Sequence, residues 1–240
     1  MKILNFGSLN IDYVYNVSEF VRAGETISAL STLEHPGGKG LNQAVAAARA
    51  GANALLGEAY IKSVTADFAR GDICMLQNEA PCTDFIIKQA KACGMTVIWN
   101  PSPMNERITD SAIGMCDYII VNKTEGRVLT GKEEPDDILK ALLKKYPHTK
   151  AVLTLGKNGS IYSDGTDTVK QPSFKADPVD TTGAGDTFTG YFAAMISKGK
   201  TAAEALKTAS AAAALATEKQ GAASSVPMLA EVIKKTEENI

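Results

Sequence analysis

Histidine is nearly missing from this chain: there are two in 240 residues, His35 and His148. A Ser-His-Asp triad or a multi-histidine metal centre therefore has almost nothing to be built from. Cysteine is also scarce, and Cys74, Cys82, Cys93 and Cys116 show no CxxC spacing. Three of them stand in apolar or helical stretches, so buried free thiols in a reducing compartment are expected. Charge of one sign is lacking too. The formal net charge is −2, which gives no basic footprint for nucleic acid. No apolar run is long enough to span a bilayer, and "MKILNFGSLNID" turns polar too early for a signal peptide. A cytoplasmic protein without a membrane partner is the expectation.

Several phosphate and nucleophile motifs are missing as well. A P-loop needs GxxxxGK[ST]; "GKT" occurs at Gly199–Thr201, but Ala194 holds the place of the first glycine. The dinucleotide fingerprint GxGxxG fails twice, with Phe188 ending "GAGDTF" and Gln43 ending "GKGLNQ". There is no GxSxG elbow.

What is present is an ordinary globular composition, 45% hydrophobic and 22% charged. Short apolar runs alternate with helical patterns. Strands are expected at Lys2–Gly7, Ile73–Gln77, Thr96–Asn100, Asp117–Val121 and Ala151–Leu155. Helices are expected at Leu41–Ala50, Asp84–Ala92, Asp136–Lys145, Asp186–Ser197 and Ala202–Lys219. This βαβ rhythm predicts an α/β fold, a mostly parallel sheet between helices in Rossmann-type layers, as one domain over residues 1–240. Thr201 and Glu204 form a capping box for the last of these helices, and Gly221 is placed to end it. "IDYVYNV" (Ile11–Val17) and "ETISALSTLEH" (Glu25–His35) alternate polar and apolar residues instead. They predict a small antiparallel flap of half-exposed strands attached to the main sheet.

Polar residues collect just beyond the predicted strand ends: Asn10, Glu79, Asn100, Asn122 and Thr154–Gly156. Any one of them could be a turn or a cap. Together they mark the carboxyl edge of a parallel sheet, where open α/β folds bind ligands.

Two glycine-rich turns open helices. In "PVDTTGAGDTFTG" (Pro178–Gly190), small residues precede the helical spacing of Phe188, Phe192 and Met195. Unpaired amides at such a helix start, with the helix dipole behind them, can cradle a phosphate. Asp186 could be a favourable first-turn charge and no more. Beside an anion cradle it could also accept a hydroxyl proton during phosphoryl transfer. In "PGGKGLNQAVAAARAGA" (Pro36–Ala52), Gly37, Gly38 and Gly40 could bring backbone close to a small ligand, with Lys39 and Asn42 supplying hydrogen bonds. A flexible loop and a routine cap is the simpler alternative.

These two stretches resemble the signature motifs of the ribokinase-like (PfkB-type) carbohydrate kinases, and "NPSP", "VNKTEG" and "TLGKNGS" between them match that family in order. The resemblance spans nearly the whole chain. It implies transfer of the ATP γ-phosphoryl group to a primary hydroxyl of a small sugar, with ribose first and fructose, a nucleoside or another polyol as alternatives. Asp186 matches the family's catalytic base, and Gly183, Ala184 and Gly185 its anion hole. Asn10, Asp12, Gly38, Lys39, Asn42 and Glu79 match sugar-binding positions. Asn122, Thr154, Gly156, Lys157 and Gly159 match nucleotide contacts, with Ser210 near the adenine. Glu125 matches the acid that organises Mg²⁺. Asp180, Thr182, Ala216, Lys219, Gly221 and Ser225 match the oxygen ligands of an activating monovalent cation such as K⁺.

The chain departs from that family at "ARAGANALLGEAYIKSVTADFARGD". Two "GA" ends are fused at Gly51–Asn53, and by comparison with a full-length member roughly sixty residues are missing, a large part of a domain this size. The expected loss is one strand of the main sheet and about half the flap. In the family the flap covers the sugar and forms a homodimer contact. A shortened flap bears on both, and leaves a catalytically weak nucleotide- or sugar-binding remnant as a rival to an active kinase. A scaffold with no small-molecule site would leave both glycine turns unexplained.

Overall fold

The computed structural model describes residues 1–20, 27–56, 65–79, 82–105 and 108–237. Its main sheet grows from runs that are apolar on both faces. In β1 (Lys2–Phe6) every residue after Lys2 is buried, and β5 (Ile73–Gln77) is buried throughout. Strands of that kind need cover on both sides. Further strands are β4 (Asn53–Leu56), β6 (Thr96–Asn100), β7 (Tyr118–Asn122), β8 (Lys150–Thr154), β9 (Ser160–Ser163) and β10 (Thr168–Gln171). The order across the sheet is β10-β9-β8-β7-β6-β5-β1-β4. Strands β4 to β8 and β1 run parallel; β9 and β10 are antiparallel at one edge.

The cover comes in two layers. One holds α1 (Lys39–Arg49), α6 (Ala184–Ser197), α7 (Ala202–Thr217) and α8 (Leu229–Glu237). The other holds α2 (Thr83–Ala92), α3 (Asp110–Met115), α4 (Lys123–Thr130) and α5 (Pro135–Lys145). Alternate strand residues feed the two cores. Ile3, Met75 and Ile98 pack with Tyr191 and Phe192 of α6, whereas Leu4, Leu76 and Trp99 pack with Ile87 of α2 and Ile113 of α3. The predicted α/β fold is therefore present.

A separate two-stranded sheet pairs β2 (Asn10–Asn16) with β3 (Ser31–Gly37), Asp12 opposite His35. It leaves the carboxyl end of β1 and returns at Gly38 to start α1. It is not hydrogen-bonded into the main sheet. Every residue of β2 is exposed, including Ile11, Tyr13 and Tyr15. This corrects the expectation of half-exposed strands attached to the sheet: two strands with no layer against them among the described residues leave both faces of β2 exposed. The second flap strand is also shorter than expected, and Glu25 and Thr26 of that stretch lie outside the described residues.

The expected loss of a main-sheet strand does not leave the edge of β1 bare. Directly after α1, Asn53–Leu56 pairs parallel with β1, Lys2 opposite Asn53. The turn is held by Gly51 and Ala52 amides donating to the carbonyls of Ala48 and Ala47, at 2.8 and 3.0 Å. Four residues are enough to occupy the free edge of β1, and Ala46, Ala47 and Ala50 are fully buried on the helix above. The following stretch, 57–64, lies outside the described residues.

Helix starts follow the local chemistry. Thr201 and Glu204 form the predicted capping box on α7, and Asn122 and Glu125 form a second on α4. Helix α7 ends at Thr217, before Gly221, and α8 follows it. Of the cysteines, Cys74 and Cys116 are buried free thiols, Cys93 is half-buried and Cys82 is exposed. Burial pushes the Cys74 thiol up to about 12, so it is inert as a nucleophile near neutrality.

Candidate active site

Helix α6 begins where Gly183, at φ 75°, turns the chain into the helix. That backbone region suits glycine. The Ala184 amide donates back to the Thr181 carbonyl at 3.2 Å. Among the described residues the amides of Gly183 and Gly185 have no such partner, and both residues line a cleft of about 200 Å³. A Cβ at Gly185 would meet nothing within 4 Å, so the space in front of this helix start is open.

Asp186 stands in the first turn of α6 and lines the same cleft, yet it is only 8% exposed. Asn42 Nδ2 donates to its Oδ2 at 3.1 Å, and Gln43 Nε2 donates to its Oδ1 at 3.0 Å. Burial raises its pKa above the ordinary carboxylate value. The Gln43 amide, the Lys39 charge and the Asn42 amide pull it back, and Glu79 adds a small push upward. A buried carboxylate with two donors and free lone pairs toward a cleft is suited to accept a proton.

The other wall of the cleft comes from strand ends. Asn100, Asn122 and Thr154 close β6, β7 and β8 and line it, Asn122 paired in register with Thr154. Lys39 reaches it from α1 and Glu125 from α4. Glu125 is 8% exposed; its Oε2 accepts the Asn122 amide at 2.8 Å. Of the polar strand ends marked in the sequence, Asn100, Asn122 and Thr154 thus meet in one cleft.

Among the described residues no three His, Cys, Asp or Glu side chains cluster around a metal position. Glu125, an acid in the cleft wall, is the side chain there besides Asp186 that could hold a hard divalent cation such as Mg²⁺. The residues expected for a monovalent cation lie on one loop pair. Asp180 accepts the Thr182 and Gly221 amides at 2.9 Å each, and Thr217 O accepts the Val179 and Asp180 amides. The Thr182 and Gly221 amides hold the Asp180 pKa below its usual value. Lys219 gives its ammonium to Glu231 at 3.1 Å. The Ala216 carbonyl accepts the Lys219 amide at 3.3 Å, and with the Lys219 and Gly221 carbonyls it is a hard oxygen donor of the kind an alkali cation takes. Ser225 is buried and its hydroxyl donates to Ala222 O at 2.8 Å.

On the flap side, Asn10 and Asp12 are exposed on β2, and Asp12 lies against Gly37. Gly38 has φ 99°, and a Cβ there would lie 2.6 Å from the Ser8 carbonyl oxygen. This glycine turn serves first to seat α1 on the exit of β1. The Ser8 hydroxyl donates to Glu79 at the end of β5. The structure does not bring every expected residue into the cleft. Gly156, Lys157 and Gly159 lie beyond β8, around a short 3₁₀ turn (Gly156–Asn158). Ser210 is buried on α7, its hydroxyl 3.1 Å from that of Ser160.

Sequence reasoning passed over Gln43, Gln77 and Asn5, which are fully buried behind Asp186. Their signal was a carboxamide inside or closing an otherwise apolar strand, as in "KILNF" and "ICMLQ".

The fold and this cleft define an α/β phosphotransferase-like site, with an open helix start, a buried carboxylate and a parallel-sheet edge. The model of the pfkB family carbohydrate kinases matches residues 1–72 and 58–229, and the chain belongs to that family. It is 28% identical to the ribokinase of Haemophilus influenzae over 294 residues, covering 95% of this chain and 96% of that protein. To the ribokinase of Lactococcus lactis it is 30% identical over 299 residues, covering 99% and 97%. The structure of Arabidopsis thaliana ribokinase complexed with ribose and ATP superposes with a TM-score of 0.85 at 25% identity, covering 98% of each chain.

The chain is internally short by the same comparison. Alignment over 294 positions against 240 residues leaves at least 54 positions of the Haemophilus protein unmatched. The family model breaks into two segments overlapping at 58–72. The expected shortening is thus present, and the overlap lies close behind Gly51–Asn53, just after β4.

Proposed function

We propose that this protein is an ATP-dependent ribose kinase, forming ribose 5-phosphate and ADP. The observation that carries this reading is the meeting of Asp186, the Gly183 and Gly185 amides and Lys39 in one cleft. In the reaction the primary hydroxyl oxygen of the sugar attacks the γ-phosphorus of ATP. Its proton passes to the Asp186 carboxylate, the bond from the γ-phosphorus to the bridging oxygen breaks, and ADP leaves. The amides of Gly183 and Gly185 with Lys39 stabilise the charge on the transferring group. Asn10, Asp12, Gly38, Asn42 and Glu79 hold the sugar. Asn122, Thr154 and the Gly156–Gly159 turn hold the nucleotide, with Ser210 toward the adenine. Glu125 would hold Mg²⁺, which would supply positive charge against the phosphates, and the Asp180–Ser225 loops would hold K⁺, which would supply positive charge behind the Gly183–Gly185 turn.

The relatives named as ribokinases and the absence, among the described residues, of any helix long and apolar enough to cross a membrane support a cytoplasmic enzyme of sugar metabolism. The exposed row Ile11, Tyr13 and Tyr15 supports the flap as a homodimer contact. A coupled ADP-release assay with ribose, Mg²⁺ and K⁺ tests the reading: ADP formation should depend on ribose and exceed that with fructose or nucleosides. The internal shortening favours one second reading, a binding remnant. ATP binding without sugar-dependent ADP release would decide for it.

A further inference from the structure

Behind Asp186 lies a chain of buried carboxamides in which each amide has one allowed orientation. Asn5 Nδ2 donates to the Gly40 carbonyl at 2.6 Å. Gln77 Nε2 donates to Asn5 Oδ1 at 3.0 Å and to Gln43 Oε1 at 2.6 Å. Gln43 Nε2 donates to Asp186 Oδ1 at 3.0 Å and to Asn100 Oδ1 at 3.3 Å. Asn100 Nδ2 donates to the Ile120 carbonyl at 2.8 Å. Asn5, Gln43 and Gln77 have no exposed surface, so water cannot replace a lost partner.

The ends of this chain fix its direction. A backbone carbonyl only accepts, so Asn5 must turn its NH₂ to Gly40 and its oxygen to Gln77. Gln77 must then present its NH₂ to both Asn5 and Gln43. Both of its amide hydrogens are used, and its own Oε1 is left buried without a partner. Gln43 therefore accepts on the Gln77 side and can only donate toward Asp186. Asn100, anchored by the Ile120 carbonyl, takes the second hydrogen of Gln43. A flipped Gln43 would set oxygen against Asp186 Oδ1 and Asn100 Oδ1, and NH₂ against NH₂ of Gln77. The leftover acceptor on Gln77 is the cost of the arrangement.

We infer that Gln43 is a positioning residue for phosphoryl transfer: Asn5 and Gln77, set by the Gly40 carbonyl, force it to present a donor to one oxygen of Asp186. With Asn42 on the other oxygen, the carboxylate is held in one rotation with its free lone pairs toward the cleft. The relay spans β1, β5, α1 and β6 and ends on α6, so strand packing sets the orientation of the base. This rests on the reading of Asp186 as base. The other charges facing Asp186 are Lys39 from α1 and Glu79 after β5, with Glu125 on the far wall of the cleft.

The test is the pH profile of kcat in ribose- and ATP-saturated assays, with thermal unfolding and ATP binding measured alongside. Gln43→Met keeps length and removes the donor. Its activity relative to wild type should be at least about 3-fold lower near pH 5.5 than near pH 8.5, because the acid limb moves upward. Gln77→Met leaves the donor but frees its orientation, so its limb should move the same way by less. Should Gln43→Met not fold, Gln43→Glu keeps the volume and shares a proton with Asp186, again moving the limb upward. An acid limb unchanged in a folded, ATP-binding variant at position 43 overturns the inference. A limb moved by Gln43→Met but untouched by Gln77→Met overturns the relay beyond Gln43. Turnover surviving in Asp186→Asn would instead sink the base assignment, so the two failures are separable.

Discussion

Gly190 of α6 faces Ala46 of α1 with no room between them. A Cβ at position 190 would lie 2.5 Å from the Ala46 Cβ and 2.5 Å from the Gln43 carbonyl oxygen. The two helices thus touch through small residues one turn beyond Asp186, and this closeness lets Asn42 and Gln43 reach its carboxylate. Gly190→Ala should force the helices apart, at a cost of about 1–3 kcal/mol for overpacking. A lowered melting temperature with a fall in kcat larger than the fall in ATP affinity is the expected outcome. A variant as stable and active as wild type would show the contact to be slack.

Asp186→Asn separates stability from catalysis. Burial raises the Asp186 pKa in the folded protein, so its ionisation opposes folding. That penalty is absent below the ordinary aspartate pKa, grows as pH rises, and is full above the raised folded value. The neutral amide removes it. Asn42 can also turn its partnerless Oδ1 toward the new NH₂. Turnover should fall by roughly 10²–10⁴-fold, with a melting temperature at neutral pH no lower than wild type. Scanning calorimetry beside the coupled assay checks both.

Glu125→Gln distinguishes metal organisation from helix capping. Glutamine can still receive the Asn122 amide at the start of α4, so the fold should be kept. The lost charge should weaken productive Mg²⁺ use by about 10- to 100-fold. Titrating activity with Mg²⁺ at fixed ATP would reveal it; an unchanged Mg²⁺ dependence would leave Glu125 as a cap only.

Asp12→Ala should act on the sugar alone. Asp12 is exposed on the flap, so its loss should not change stability. Removing a charged hydrogen bond to a hydroxyl, about 1.5–3 kcal/mol, corresponds to roughly 10- to 150-fold in KM for ribose. The KM for ATP should stay within twofold, about the scatter of such measurements. Equal changes in both would place Asp12 outside the sugar site.

Most of the main sheet was legible because its strands are short runs buried on both faces. Ile73–Gln77 and Thr96–Asn100 were read to the residue. Helices α3, α4 and α8 escaped notice; the first two are short, six and eight residues, and their apolar spacing covers barely two turns. The flap was legible as alternation, but its exposure on both faces was not, because alternation predicts a layer that none of the described residues supplies. Strand β4 was hidden by the apparent fusion of two "GA" ends, and only pairing with β1 reveals it.

By itself the sequence determined which chemistry the chain can perform. Two glycine turns, one aspartate behind them and almost no histidine restrict it to amide and carboxylate catalysis, since those residue types are local facts. Tertiary structure decided which groups meet. Asn5, Gln77 and Gln43 come from separate elements, and no local pattern ties them to Asp186. Their roles follow from burial, which denies them water and leaves each amide one orientation.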